Sequence, residues 1–253
     1  MAVYEITFSP TGGTDKVTEL LTEAMDGEKR RISLLPEKED YSRHVFKSGD
    51  ICFIAVPSFG GRVPQEAAKR LGMMKGNQAR AVLVCVYGNR AYEDTLIELK
   101  DVADKAGFVP AAAVAAIAEH SIMHQFASGR PDTDDINQLK TFAKEVKAKI
   151  DASRLTEVQV KGNRPYKELK EVPFHPTASD SCTMCGLCAK LCPVHAIPFE
   201  APNQTNGEQC ISCMRCVQVC PSKARHIDEQ MLSAVSEKMK PLFAQRKENE
   251  LFL

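Results

Sequence analysis

The chain has 253 residues, 43% of them hydrophobic, and its 33 Lys and Arg residues are balanced by 33 Asp and Glu residues. A chain of this length and composition can bury a core of its own without covalent crosslinks. The formal net charge of zero gives no reason to expect a nucleic acid, an anionic membrane or a polyanionic substrate as a partner.

The sequence shows no pattern typical of secretion or of a membrane anchor. Residues 1–8 lack a basic stretch followed by a long apolar run, and the apolar segment 111–118 is too short to cross a bilayer. We therefore expect a cytoplasmic protein without a membrane span. In that reducing compartment its ten cysteines are not expected to form disulfides.

The first 150 residues alternate short β-rich runs with amphipathic helical runs. The predicted strands are Val3–Phe8, Arg31–Leu35, Ile51–Val56, Ala81–Tyr87 and Val109–Ile117. They are mostly continuous apolar runs, as strands covered on both faces are. Helical spacing between them predicts an α/β domain over residues 1–150, a doubly wound parallel sheet of five strands. The polar segment 36–49 predicts an irregular second crossover.

A loop rich in glycine and hydroxyl groups follows the first predicted strand and opens a helix. Its residues are Ser9, Pro10, Thr11, Gly12, Gly13 and Thr14. Glycine lets the backbone approach a phosphate, hydroxyl groups donate hydrogen bonds, and a helix N-terminus supplies free N–H groups. Because the loop lacks the patterns of nucleotide triphosphatases and of dinucleotide folds, the sequence predicts a phosphate site but disfavours ATP and NAD.

The loop pattern S-x-T-G-x-T and the order of strands and helices over 1–150 resemble flavodoxins, which bind FMN. The resemblance implies that Ser9, Thr11, Gly12, Gly13 and Thr14 hold the FMN phosphate. Ligands of such folds lie beyond the carboxyl ends of the strands, so the loops after strands three and four would bracket the flavin ring. The residues implied are Pro57, Ser58, Phe59, Gly60, Gly61 and Arg62 in one loop, and Tyr87, Gly88, Asn89, Arg90 and Tyr92 in the other.

The resemblance also suggests roles within these two loops. Phe59, Tyr87 or Tyr92 is available to stack on the ring, and Arg62 or Arg90 to stabilise the reduced, anionic flavin. The backbone amides available for the ring edge are those of Gly60, Gly61 and Gly88. The chain contains no Trp, so the tryptophan stack of many flavodoxins is excluded.

The segment 119–131 follows the fifth predicted strand at the same edge of the sheet. Its residues His120, His124 and Arg130 could bind an anionic substrate or carry protons, which would make the protein a flavin-dependent reductase. A surface loop that caps the sheet or contacts the cysteine-rich segment explains the same residues, and we favour this interpretation.

Eight of the ten cysteines lie in two runs of the same form, C-x2-C-x2-C-x3-C-P. This form resembles the bacterial two-cluster ferredoxins, in which three close thiolates hold one cubane and the fourth holds the other. The sequence therefore predicts two [4Fe-4S] clusters, one held by Cys182, Cys185, Cys188 and Cys220, the other by Cys192, Cys210, Cys213 and Cys216. Two zinc sites are the alternative, but they would leave the third cysteine of each run unused. Cys52 and Cys85 are predicted to be buried and without chemistry.

The remaining segments are read from composition. Residues 151–172 are polar and contain proline, which predicts a surface linker before the ferredoxin-like α+β domain at 173–228. Residues 229–253 are predicted to form a C-terminal helix whose apolar face docks on the rest of the protein.

Taken together, the two halves resemble flavodoxin–ferredoxin fusion proteins over nearly the full chain. The resemblance implies an iron–sulfur flavoprotein that transfers electrons between FMN, two [4Fe-4S] clusters and a redox partner protein or a small-molecule donor or acceptor. A non-catalytic redox sensor remains an alternative, a homodimer remains open, and the sequence assigns no catalytic residue.

Overall fold

The structure is a computed structural model that describes residues 1–152, 156–169, 172 and 174–253. Residues 153–155 and 170–171 of the predicted linker, and Pro173 at the predicted start of the cysteine-rich domain, lie outside the described residues.

The N-terminal half is built on a parallel sheet. Its strands are β1 (Ala2–Thr7), β2 (Glu28–Ser33), β3 (Ile51–Pro57), β4 (Arg80–Tyr87) and β5 (Val109–Ile117). They lie in the order β2-β1-β3-β4-β5, and each neighbouring pair is parallel. This order is that of the flavodoxin-like doubly wound fold, so the predicted fold class is confirmed.

A sixth strand corrects the prediction of a five-stranded sheet. Strand β8 (Glu250–Phe252) pairs antiparallel with β5 at the edge of the sheet. The side chain of Asn249 fixes this pairing, since its Oδ1 accepts a hydrogen bond of 2.9 Å from the amide of Ile117. The predicted C-terminal helix over 229–253 is correspondingly too long.

Two helices cover each face of the sheet. Helices α1 (Gly13–Thr22) and α4 (Thr133–Asp151) pack on one face, and α2 (Gln65–Gly72) and α3 (Thr95–Lys105) on the other. The apolar positions read from the sequence form the two cores, for example Val17 and Leu139 on one face and Leu96 and Leu99 on the other. The second crossover is irregular, as predicted, with a single 3-10 turn at Tyr41–Arg43.

The segment 156–169 runs along α3 and is anchored by acidic side chains. Val158 is fully buried. The carboxylate of Asp94 accepts hydrogen bonds from the amides of Asn163 (2.8 Å) and Lys167 (2.7 Å), and Arg164 Nε donates to Asp101 at 2.8 Å. The connection between the halves is therefore held in place by many polar contacts.

The cysteine-rich half has little regular structure. It contains the short helices α5 (Leu187–Lys190) and α6 (Arg215–Gln218) and the antiparallel strand pair β6 (Thr177–Ala178) and β7 (Arg225–His226). A buried arginine links its loops, because Arg225 donates to the carbonyls of Pro176, Pro202 and Gln204 and to the hydroxyl of Thr205.

Helix α7 (Glu229–Phe243) follows and begins at Asp228, whose side chain accepts from the amide of Met231 at 2.7 Å. Among the described residues, no helix has both the length and the apolar character that a membrane crossing requires.

Candidate redox site

One cavity of about 270 Å³ lies where the sheet, the cysteine-rich half and helix α7 meet. The loops at the carboxyl ends of β1, β3, β4 and β5 form one side of it. Phe174, Ile211, Ser212 and Cys213 form another side, and Val235, Met239 and Phe243 of α7 close it. The cavity is thus enclosed by both halves of the chain.

Most of the residues predicted to contact the flavin line this cavity. They are Thr11, Gly13, Thr14, Pro57, Ser58, Phe59, Gly60, Gly61, Tyr87, Gly88 and Arg90. The remaining five, Ser9, Gly12, Arg62, Asn89 and Tyr92, are not among the lining residues and have other places in the structure.

The loop after β1, predicted to hold a phosphate, turns tightly into helix α1. Gly12 precedes α1 with a φ of 92°, a left-handed conformation that favours glycine. Ser9 Oγ accepts a hydrogen bond of 3.0 Å from the amide of Asp15, which holds the loop against the first turn of α1. Since the first amides of a helix have no acceptor within it, this turn can receive an anion.

The loop after β3 closes as a tight turn. Phe59 and Arg62 exchange two backbone hydrogen bonds of 3.0 and 3.1 Å, and Gly60 and Gly61 between them both have positive φ. A Cβ atom on Gly61 would fall 1.8 Å from Oε2 of Glu93. Glycine is therefore required here by both the backbone and the neighbouring carboxylate.

Three predicted ring contacts are bound elsewhere. Arg62 makes a bidentate ion pair with Glu98, with two contacts of 2.7 Å, so its charge is already compensated. Tyr92 is buried and donates to Glu250 of β8 at 3.1 Å. Asn89 donates to the carbonyls of Phe243 and Gln245 and so holds the C-terminal segment. Sequence reasoning missed these partners because they lie up to 158 positions away.

His120 is the one basic residue of the 119–131 loop that lines the cavity. Its ring packs so closely on Gly88 that a Cβ atom there would lie 2.6 Å from Cδ2. Nδ1 accepts hydrogen bonds from the amides of Ile122 (3.2 Å) and Met123 (3.1 Å), which leaves the proton of the neutral ring on Nε2. Burial, aided by the charges of His124 and Arg90, lowers the pKa of His120 to about 4.

His124 and Arg130 do not line the cavity, and they differ in exposure. His124 is exposed and contacts Glu119 at 2.7 Å. Arg130 is buried in an ion pair with Asp135 and donates to the carbonyl of Lys247 at 2.8 Å. Arg130 therefore anchors the C-terminal segment rather than facing the cavity.

Four thiols meet in a second, smaller cavity. It is lined by Cys192, Cys210, Cys213 and Cys216, the set that the sequence assigns to one cluster. Burial raises the pKa of the thiols of Cys213 and Cys216 to about 12. The donor set, four cysteines from both runs, is the one that a [4Fe-4S] cluster takes. Within the part of the chain that is described, no three His, Cys, Asp or Glu side chains group as ligands of a single metal ion would.

The other four cysteines range from exposed to buried. Cys185 is exposed, Cys182 and Cys220 are half-buried, and Cys188 is buried. Burial alone would raise the pKa of Cys220, but hydrogen bonds from Ser222 and from the amides of Arg225 and Ala224 lower it below its usual value. Met184 and Phe199 are large apolar side chains exposed beside this set.

The two cysteine runs share a backbone conformation as well as a spacing. Met184 and Gly186 in the first run and Ser212 and Met214 in the second all have positive φ. Each fourth cysteine then accepts a hydrogen bond of 3.3 Å at sulfur, Cys192 from Ala196 and Cys220 from Ala224. These repeated turns support the same chemistry in both runs. Cys52 and Cys85, by contrast, are buried in β3 and β4, where burial raises their pKa.

Helix α7 adds a wall to the cavity that the sequence did not assign to a site. Of the four residues that recur at helical spacing on its apolar face, Val235 and Met239 line the cavity, whereas Met231 and Leu242 remain exposed. Phe243 stacks on Phe126 with ring centroids 4.2 Å apart. The helical periodicity could indicate a docking face, but not the surface that it covers.

The fold and the two groups of thiols define a chain in which a flavodoxin-like domain is joined to a ferredoxin-like, cysteine-rich domain. Residues 181–224 contain all eight cysteines of the two runs and match the family described as a 4Fe-4S dicluster domain. The chain therefore joins a sheet of flavodoxin-like strand order to a segment that matches a 4Fe-4S dicluster domain.

Solved flavodoxins are similar to the sheet domain. A flavodoxin of Streptococcus pneumoniae TIGR4 is 17% identical, with 59% of this chain and 99% of that chain covered and a TM-score of 0.44. A flavodoxin from the domain Archaea is 11% identical, with 60% and 99% covered and a TM-score of 0.44. Flavodoxin 1 of Bacillus cereus is 12% identical, with 58% and 98% covered and a TM-score of 0.40. Because these identities and TM-scores are low, the fold assignment rests on the strand order of the sheet. No curated protein matches the sequence significantly.

Proposed function

We propose that the protein transfers electrons between one FMN, two [4Fe-4S] clusters and an external redox partner. The observation that carries the proposal is Cys213, which lines both the cavity of the sheet loops and the four-thiol cavity. One cysteine therefore belongs to the walls of both predicted cofactor sites. When bound, FMN supplies a carrier of two electrons and each cluster a carrier of one.

The residues of this chain would hold FMN by its two ends. The loop from Ser9 to Thr14 and the first turn of α1 would bind the phosphate. The loops around Gly60 and Gly88 would bracket the ring, with Phe59 and Tyr87 as the aromatic side chains that line the cavity. Arg90 remains the arginine of these loops that lines the cavity, although it also pairs with Glu93 at 2.9 Å.

The clusters would have different tasks. Cys192, Cys210, Cys213 and Cys216 would hold the cluster beside the flavin site. Cys182, Cys185, Cys188 and Cys220 would hold a cluster toward the surface, because Cys185 is exposed. We therefore assign the cluster of Cys182, Cys185, Cys188 and Cys220 to exchange with the external partner, a redox protein or a small molecule in the cytoplasm.

Anaerobic purification followed by iron, sulfide and flavin analysis tests the proposal. We expect about eight iron, eight sulfide and one FMN per chain, as two cubanes and one flavin require. Zinc in place of iron, or protein without flavin, would contradict it. A redox titration followed by absorbance should then separate the three centres.

A flavin-dependent reductase is the second candidate. It is favoured by His120, Ile122 and Met123, which line the cavity from the 119–131 loop and could border a substrate. Steady-state turnover of a small-molecule acceptor, lost in His120→Gln with FMN still bound, would support it. No turnover above that of free FMN would leave electron transfer between proteins as the function.

A further inference from the structure

We propose that Arg215, which belongs to the cysteine-rich half, supplies the positive charge that holds the FMN phosphate in the sheet domain. The inference rests on the proposed function and adds a residue from the other half of the chain to the flavin site. Its consequence is that firm FMN binding depends on the assembly of the neighbouring cluster.

The phosphate loop contains no cation of its own. Residues 9–14 include neither Lys nor Arg. The nearest basic residue in sequence, Lys16, directs its Nζ to the carbonyl of Pro131 at 3.3 Å. A phosphate monoester carries up to two negative charges near neutral pH, so amides and hydroxyls alone would leave it without an opposite charge.

Arg215 reaches the phosphate loop from α6. Its Nη1 donates to the carbonyl oxygen of Pro10 at 3.1 Å, across 205 positions of sequence. Guanidinium remains protonated at any physiological pH and binds phosphate oxygens well. The contact brings a permanent positive charge to the loop that lacks one.

The guanidinium has a donor to spare. Nε of Arg215 is buried and has no hydrogen-bond partner among the described residues. Leaving such a group unpaired is unfavourable, and native structures rarely do so without an acceptor from water or a ligand. Arg215 lines the four-thiol cavity and is not among the residues that line the cavity of the sheet loops, so its guanidinium lies between the four-thiol cavity and Pro10 of the phosphate loop.

The position of Arg215 is set by the cluster ligands on either side of it. Cys213 precedes it by two residues and Cys216 follows it directly, and Arg215 itself lines the four-thiol cavity. Iron bound by both cysteines would fix α6 and thereby the guanidinium. The equivalent residue in the first run is Leu187, so the arginine is not needed for the cysteine spacing.

Equilibrium binding of FMN and of riboflavin tests the proposal. Both ligands are titrated anaerobically into flavin-depleted protein that retains its clusters, in the wild type and in Arg215→Leu and Arg215→Lys. Loss of a hydrogen bond to a charged group weakens binding by about tenfold or more, so Arg215→Leu should raise the Kd for FMN by that factor. Arg215→Lys should recover part of the affinity. Riboflavin, which has no phosphate, should bind wild type and Arg215→Leu equally.

The outcomes separate this role from others. Equal weakening of FMN and riboflavin would show that Arg215 only holds the two halves together, and an unchanged FMN Kd would show that it has no part in binding. Either result would overturn the inference. A wild type that binds neither flavin would instead refute the proposed function. As a further check, Cys216→Ala should weaken FMN binding and Cys188→Ala, at the equivalent position of the first run, should not.

Discussion

The two cysteine runs are alike in spacing and turn geometry but differ in what surrounds them. In the second run Cys213 is buried and faces the cavity of the sheet loops, while its counterpart Cys185 in the first run is exposed. Arg215 of the second run contacts the phosphate loop, whereas its counterpart is Leu187. Spacing thus determines which metal centre a run can hold, and packing against the rest of the chain determines which centre that cluster can reach.

Removing the equivalent cysteine from each run should have the largest effect and tests the difference between the runs. Cys185→Ala should lose about four of eight irons, because one cubane loses a ligand, and keep FMN bound. Cys213→Ala should lose a similar amount of iron and also bind FMN more weakly, because it changes a wall of the flavin cavity. Iron, sulfide and flavin analysis of anaerobically purified protein measures both. Equal loss of flavin in the two variants would contradict the difference between the runs.

Removal of Arg130 should loosen the C-terminal segment that follows helix α7. Arg130 pairs with the buried Asp135 and also binds the carbonyl of Lys247, ahead of β8. Arg130→Ala removes the closest cation from the buried carboxylate of Asp135, which keeps hydrogen bonds from Asn249 and the amide of Asp132, so we expect the free energy of unfolding to fall by about 3 kcal/mol. Chemical denaturation measures the change.

His124→Ala is the matched control for Arg130→Ala. His124 lies in the same loop but is exposed, so its removal should change stability by less than about 0.5 kcal/mol. Similar values for the two variants would show that Arg130 does not anchor the C-terminal segment.

Acidification should lower the stability of the folded protein through His120, which lines the flavin cavity. The folded pKa of about 4 lies below the ordinary value of 6.5, so the unfolded chain binds a proton that the folded chain does not. Between pH 7.5 and 5.5 this difference should cost the wild type about 1 kcal/mol of stability.

The variant His120→Gln isolates this contribution. It lacks the titrating ring, so its stability should fall less than that of the wild type over the same pH interval. Thermal unfolding midpoints of both proteins at pH 7.5 and pH 5.5 provide the comparison. The same pH response in both would show that His120 is not the group responsible.

The smallest effect is expected beside the first run. Phe199 is 59% exposed, so Phe199→Ser removes little buried surface and should change the free energy of unfolding by less than about 0.5 kcal/mol. The iron content should stay that of the wild type. A loss of stability above about 2 kcal/mol would place Phe199 in a packed core and make the surroundings of the two runs more alike.

The parallel sheet could be predicted from sequence because four of its five strands are local apolar runs. Strand β2 (Glu28–Ser33) is polar over most of its length, and its prediction at Arg31–Leu35 was therefore displaced along the chain. Strand β8 could not be predicted, since three residues are too few to show a period and its place depends on Asn249 contacting Ile117. The C-terminal helix was predicted in position but not in length. Its end is set by contacts of Asn89 with Phe243 and Gln245, which no local pattern records.

The candidate site was predictable wherever chemistry depends on spacing. The cysteine sets are of this kind, and Cys192 lines one cavity with Cys210, Cys213 and Cys216 as the interleaved pattern requires. Phosphate binding by the loop from Ser9 to Thr14 stays a prediction. Arg62 and Tyr92 were assigned to the flavin because of their loops, but Glu98 and Glu250 bind them. The docking of the two halves, which brings Arg215 to Pro10, left no local signal in the sequence.

The most direct test is the rate at which the flavin exchanges electrons with the remaining cluster in Cys185→Ala and Cys213→Ala. The flavin is photoreduced anaerobically at saturating FMN, and bleaching of the iron–sulfur absorbance is followed. If the second run holds the cluster beside the flavin, the rate of bleaching in Cys185→Ala should equal the initial rate in the wild type. The rate in Cys213→Ala should be much lower. Equal rates, or a faster reaction in Cys213→Ala, would contradict that arrangement.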